Sequence, residues 1–149
     1  MAMTMTGEVQ LAAPRGTVWR KLNEPEVLKA CIPGCQELEK LSDTEFRAVA
    51  RNKIGPVSAT FKGTVTLSDL DPPNGYRISG QGDGGVAGFA KGGATVALTD
   101  KDGGTLLTYT VEAQIGGKLA QLGQRLINGA AKKLADDFFE RFAEAVKGG

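Results

Sequence analysis

The chain has 149 residues, 18 basic against 17 acidic side chains, and no histidine. Its length favours one domain, residues 1–149, with a core able to bury about 68–70% of the extended chain's surface. A net charge of +1 with no basic face disfavours nucleic acid as a partner. The missing imidazole removes Ser-His-Asp and Cys-His catalysis and every histidine-based metal site.

Cys31 and Cys35 form C-x3-C in CIPGC, with no second cluster to complete a zinc site. They read as two reduced thiols near a helix end, with a redox pair as the alternative. No metal or other cofactor is expected. MAMTMTGEVQL lacks the charged start and apolar run of a signal peptide. Nothing approaches the 18 or so apolar residues of a membrane span. A cytoplasmic protein is expected.

In chain order, Met3–Leu11 alternates: Met3, Met5, Val9 and Leu11 on one side, Thr4, Thr6, Glu8 and Gln10 on the other, a half-buried strand. Pro14 opens a short helix with Val18 and Leu22 on one face, and Pro25 opens a second that Pro33-Gly34 stops. A strand is expected at Gln36–Leu41. Phe46, Ala48, Ala50 and Ile54 then alternate with charged residues, and Val57–Ser68 is the cleanest strand of all. Gly55-Pro56 joins these two as a hairpin. After the turn Asp71–Gly75, Tyr76, Ile78 and Gly80 alternate again, and Thr95–Leu98 with Leu106–Ile115 form another hairpin around Asp102-Gly103-Gly104. From Lys118 to Val146 apolar residues recur at three and four, which predicts an amphipathic helix of about eight turns, roughly 43 Å.

The order is α+β: a strand, two short helices, about six antiparallel strands and one long helix. One apolar sheet face needs a cover, and only the last helix is long enough. Strands of about 33 Å must curve to wrap it.

Ser79–Gly93, SGQGDGGVAGFAKGG, holds the richest glycine run. Gly80, Gly82 and Gly85 fit the dinucleotide fingerprint, with Asp100 near the position of its ribose-binding acid. That motif requires a helix after the last glycine, and VAGFAKGG leaves no room for one before the next strand. The glycines therefore read as bends or close approaches in strands. Phe89 is the bulky residue of the run. It is either a flap over a cavity mouth or a side chain tucked into the core.

The positions expected to face the helix include Ala48, Ala50, Ala59, Gly63, Gly80, Gly82 and Ala113, with Phe46, Phe61, Tyr76, Tyr109 and Ile115 between them. Small residues on a sheet face allow either close helix approach or an open interior, and strong curvature favours the interior. An empty space of about 300 Å³ would cost about 7 kcal/mol, against a total stability of about 5–15 kcal/mol. Such a space should hold an apolar molecule, or water near its few polar groups: the hydroxyls of Tyr76 and Tyr109 and the amide of Asn52.

Three stretches resemble the carbon monoxide dehydrogenase G-subunit family (CoxG), within the helix-grip superfamily of START-related and pollen-allergen-like domains. They are GEVQLAAPRGTVWRKLNEPEVLKACIPGCQELEK, GPVSATFKGTVTLSDLDPPNGYRISGQGDGGVAGFAKGGATVALT and GGKLAQLGQRLINGAAKKLADDFF. The resemblance implies a helix-grip fold, a curved antiparallel sheet of about seven strands wrapped around the C-terminal helix with an apolar tunnel between. It implies no catalysis. It implies a molybdenum-containing carbon monoxide dehydrogenase or related hydroxylase as partner, an isoprenoid quinone or lipid as ligand, and peripheral contact with the inner face of the membrane. Members often carry a C-terminal extension proposed to reach the membrane. Here the chain stops at Lys147-Gly148-Gly149, so attachment through such a tail is not expected.

The lining is then expected from Phe46, Phe61, Tyr76, Phe89, Tyr109, Leu119, Leu122 and Leu126. The alternatives are an assembly factor acting by protein contact, and an enzyme such as a cyclase or hydrolase. For an enzyme Lys91 is the nearest candidate, more simply read as a solvated loop charge.

Overall fold

The computed structural model describes residues 1–147. Gly148 and Gly149, at the expected chain end, lie outside the described residues. In order come β1 (Ala2–Leu11), α1 (Arg15–Leu22), α2 (Pro25–Cys31), β2 (Cys35–Lys40), β3 (Glu45–Ile54), β4 (Val57–Asp71), β5 (Gly75–Asp83), β6 (Phe89–Lys101), β7 (Gly104–Gly116) and α3 (Gln124–Lys147).

The strands form one antiparallel sheet of seven in the order β1-β7-β6-β5-β4-β3-β2. Every neighbour from β2 to β7 is a hairpin partner, and β1 alone comes from far along the chain. Helices α1 and α2 connect the two edge strands. Pro14 precedes α1 and its carbonyl accepts from Val18 N–H at 3.1 Å. Pro25 starts α2, where its missing N–H costs nothing. Val18 and Leu22 are the buried pair of α1. Asn23 ends that helix, its amide donating to the Trp19 carbonyl at 2.9 Å.

The expected helix from Lys118 is shorter than its apolar pattern. Gly117–Leu122 forms a 3-10 turn, and α3 begins only at Gln124. Gly117 and Gly123 bracket the turn with φ of +74° and +92°. Those left-handed values break the helix while leaving Leu119 and Leu122 at helix-like spacing against the sheet. The remaining 24 residues span about 36 Å.

The register puts like against like across the sheet. Phe46, Val65, Gly80, Gly92, Ala113 and Met3 lie side by side, and so do Ala48, Gly63, Gly82, Ala90 and Ile115. Two of these glycines are required by the bend of the sheet. A Cβ on Gly63 would stand 2.1 Å from the Gln81 carbonyl oxygen, and one on Gly92 would stand 2.0 Å from that of Glu112. Only a bare Cα lets the neighbouring backbone come so near. The sheet therefore curves most where its inner face is smallest.

Candidate functional site

The core is split. One cluster gathers Leu11, Val18, Leu22, Phe46, Tyr76, Leu107, Phe142 and Val146 beneath α1, α2 and the C-terminal half of α3. The other joins Met3, Ile115, Leu119 and Ile127 at the opposite end. Between them lies an apolar space of about 360 Å³. Its floor is the two small rows: Ala48 and Ala50 from β3, Gly63 from β4, Gly80 and Gly82 from β5, Ala90, Gly92 and Ala94 from β6, Ala113 from β7. Val65, Ile78, Val111 and Phe61 complete the wall. Larger side chains here would join the two clusters into one core. Their absence leaves the space.

Two grooves flank α3. One, about 360 Å³, lies between the β3–β4 hairpin and the helix, lined by Pro33, Asn52, Ile54, Gly55, Leu126, Gly129, Ala130, Lys133, Leu134 and Asp137. The other, about 350 Å³, lies toward β1, lined by Met3 to Glu8, Tyr109, Asn128, Lys132 and Asp136. A broader hollow of about 940 Å³ opens mainly on the outer face of the sheet, among Glu37, Arg47, Lys62, Gln81, Asp83 and the turn at Gly85–Gly88. Its walls are exposed and charged. It reaches Gly63 and Gly82 because there the sheet is only a backbone thick.

The eight side chains expected to line the interior fall in different places. Phe61 lines it. Leu126 lies at the hairpin groove, its Cδ1 3.0 Å from where a Gly55 Cβ would stand. Tyr109 lines the β1-side groove, stacked on Phe139 at 5.0 Å and resting over Gly7. Burial pushes its phenol up, helped by the negative charge of Asp136. Leu119 and Leu122 pack in the second cluster. Phe46 and Tyr76 are pillars of the first, not wall. Tyr76 meets Trp19 edge-on at 5.2 Å, and burial pushes its phenol up strongly.

Phe89 is neither flap nor core. It pairs with Asp83 and Gly116, one step out of phase with the inward Ala90, so strand alternation sends it to the outer face. There it is 46% exposed and its ring lies over Gly116. Lys91 follows the same parity. It stands in strand β6, not in a loop, exposed on the outer face.

The floor residues absent from the expected lining are the small ones. Their signal is present in the sequence, since most occupy its inward-facing positions. A wall with room behind it is found at alanines and glycines, because large side chains fill the space they point into.

Gly80 and Gly82 pair with Gly92 and Ala90 in an antiparallel ladder, and Gly85 enters a three-residue 3-10 turn. No helix follows to receive a pyrophosphate. Asp100 lies beside the β6–β7 turn and pairs with Arg15 at 2.9 Å. Cys31 is buried and Cys35 half-buried, both free. Burial pushes both thiols up, against the smaller opposing pull of Arg141 on Cys31 and Lys29 on Cys35. Neither has the lowered pKa of a reactive thiol. No helix among the described residues is long and apolar enough to cross a membrane.

A protein described only as conserved, from Geobacillus kaustophilus, has a crystal structure that superimposes with a TM-score of 0.91 at 34% identity, covering 97% of this chain and 95% of that one. Two more distant structures share the fold alone. The protein Ara h 8.0201 gives a TM-score of 0.71 at 14% identity over 100% of both chains. An aromatase/cyclase from Streptomyces gives 0.72 at 11% identity, covering 99% of this chain and 94% of that one. No functionally curated protein matches by sequence. Residues 7–147 match the carbon monoxide dehydrogenase G-subunit family, CoxG, and the chain belongs to that family.

Proposed function

We propose that the protein is a non-enzymatic carrier of an apolar small molecule, an isoprenoid quinone, and that it serves a molybdenum-containing carbon monoxide dehydrogenase or related hydroxylase by membrane recruitment or electron delivery. The observation that carries this reading is the apolar space of about 360 Å³ between two separate core clusters. Left empty it would cost about 9 kcal/mol, comparable with the whole stability of a domain at about 5–15 kcal/mol. Water gains little from a wall with almost no polar atoms. An apolar guest removes the penalty. Family membership supplies the expected partner.

The test begins with protein purified without detergent from its native host, extracted into organic solvent and analysed by mass spectrometry. Stripped protein is then titrated with a short-chain prenylated quinone while Trp19 fluorescence is followed, since Trp19 packs in the cluster bordering the space. A co-purifying quinone or lipid and saturable quenching are expected. Absence of both ends the carrier reading.

One observation favours a second reading, an assembly factor acting by protein contact. Val86 is 87% exposed beside Phe89 on the outer hollow. On that reading Phe89→Ala lowers partner activity, whereas filling the interior has no effect.

A further inference from the structure

We propose that the apolar space and the hairpin-side groove are one site in two parts: the space takes an apolar chain, and the Asn52 amide holds a neutral carbonyl or hydroxyl head group in the groove. This rests on the carrier reading and adds to it the orientation and the head-group class.

The inward row of β3 runs Phe46, Ala48, Ala50, Asn52, Ile54. Phe46 belongs to the core, Ala48 and Ala50 line the apolar space, and Asn52 and Ile54 line the groove beside α3. A molecule passing outward along this strand meets Asn52 as its first polar side chain. The other polar groups expected inside are committed elsewhere: Tyr76 to the core against Trp19, Tyr109 to its stack on Phe139 across the helix. Among the described residues the half-buried Asn52 side chain makes no hydrogen bond to protein. An amide both donates and accepts, so it matches a carbonyl or a hydroxyl. A guest that covered it without returning a hydrogen bond would leave it unpaired, which is unfavourable.

The charges around the groove favour a neutral head. Lys133 Nζ is already paired with Asp137 at 3.1 Å. Lys53 is exposed, where water and salt screen it. Leu126 packed over Gly55 covers the hairpin tip. Each part alone is near the small end of the range for ligand sites, about 300–1,000 Å³. Chain and head together need both.

The experiment uses the whole protein and three probes with one isoprenoid chain: a prenylated naphthoquinone, the hydrocarbon without a head, and the carboxylic acid. Affinities are measured by calorimetry. The quinone should bind about tenfold more tightly than the hydrocarbon, the equivalent of one net hydrogen bond. Asn52→Leu should erase that preference by weakening the quinone about tenfold, with the hydrocarbon unchanged. Quinone binding that survives Asn52→Leu undiminished overturns the proposal, as does a carboxylic acid that outbinds the quinone. If none of the three binds, the carrier reading falls too. Should the leucine variant not fold, the Asn52 side-chain amide resonance of the unaltered protein serves instead. It should shift with the quinone and stay fixed with the hydrocarbon, and a resonance that ignores both overturns the proposal.

Discussion

Gly63 and Gly82 face each other in adjacent strands on the floor of the apolar space, yet they should respond oppositely to a side chain. A Cβ on Gly82 finds its nearest neighbour, Phe61 Cβ, at 3.9 Å, so the position opens into room. Gly82→Ala should stabilise by about 0.5–1 kcal/mol, because alanine loses less backbone freedom on folding. Gly82→Leu adds three more carbons, worth about 2 kcal/mol at about 0.8 kcal/mol each if they bury. Gly63→Ala puts its methyl 2.1 Å from the Gln81 carbonyl oxygen, a collision with backbone, and should cost about 1–3 kcal/mol. Urea midpoints at constant slope give the stabilities, and quinone quenching of Trp19 gives occupancy. Gly82→Leu should raise the midpoint and abolish saturable quenching together. If it destabilises as Gly63→Ala does, the floor is close-packed and the space is not usable. If it stabilises but leaves quenching intact, the guest lies elsewhere.

Gly7→Ala would bring a Cβ within 2.3 Å of the Tyr109 hydroxyl oxygen, so the ring must leave its stack on Phe139 at a cost of about 0.5–1.5 kcal/mol; a double-mutant cycle with Tyr109→Ala should show that cost vanish. Thr105 is fully buried and its hydroxyl donates to the Ala13 carbonyl at 2.7 Å. Thr105→Val should therefore cost about 1–3 kcal/mol by leaving that carbonyl unpaired, and a urea midpoint equal to the parent's would contradict it. Burial holds the Tyr76 phenol above its ordinary value, so the folded state keeps a proton that the unfolded state releases near pH 10. This contribution is complete below about pH 10 and is lost as pH rises through the folded value. Tyr76→Phe should flatten the alkaline fall in stability, and a slope identical to the parent's would count against burial as its cause.

The order of elements is readable because alternation and helical spacing are local. Val57–Ser68 alternates cleanly and lies within β4, and the short helices begin at their prolines. The wrapping of the sheet follows from there being a single helix long enough to cover it. Two things do not follow. An apolar pattern runs unbroken from Leu119 through Leu126, but it cannot register two glycines at positive φ, so the 3-10 turn reads as helix. The phase of β6 is the other. Only Thr95–Leu98 is recognisable as strand there, and the glycine-rich half that carries Phe89 and Lys91 has too few side chains to show which face is which. The register with Gly82 and Ile115 settles it. Asn52 is visible as a polar interruption of an apolar row, but its place at the meeting of two spaces depends on α3, far along the chain.

The connectivity also sets a timetable. Strands β2 to β7 are successive hairpins that can pair as they emerge, whereas β1 has β7 as its one partner in the sheet. Thr105 and Ala13, bonded at that junction, are 92 positions apart, and closing a loop of that length costs about 4 kcal/mol plus a constant. At about 5–20 residues per second, the ribosome leaves β1 waiting on the order of 5–20 s for its neighbour. Thr4, Thr6, Glu8 and Gln10, polar at every second position, suit a strand that must stay soluble for that interval before it completes one wall of the protein.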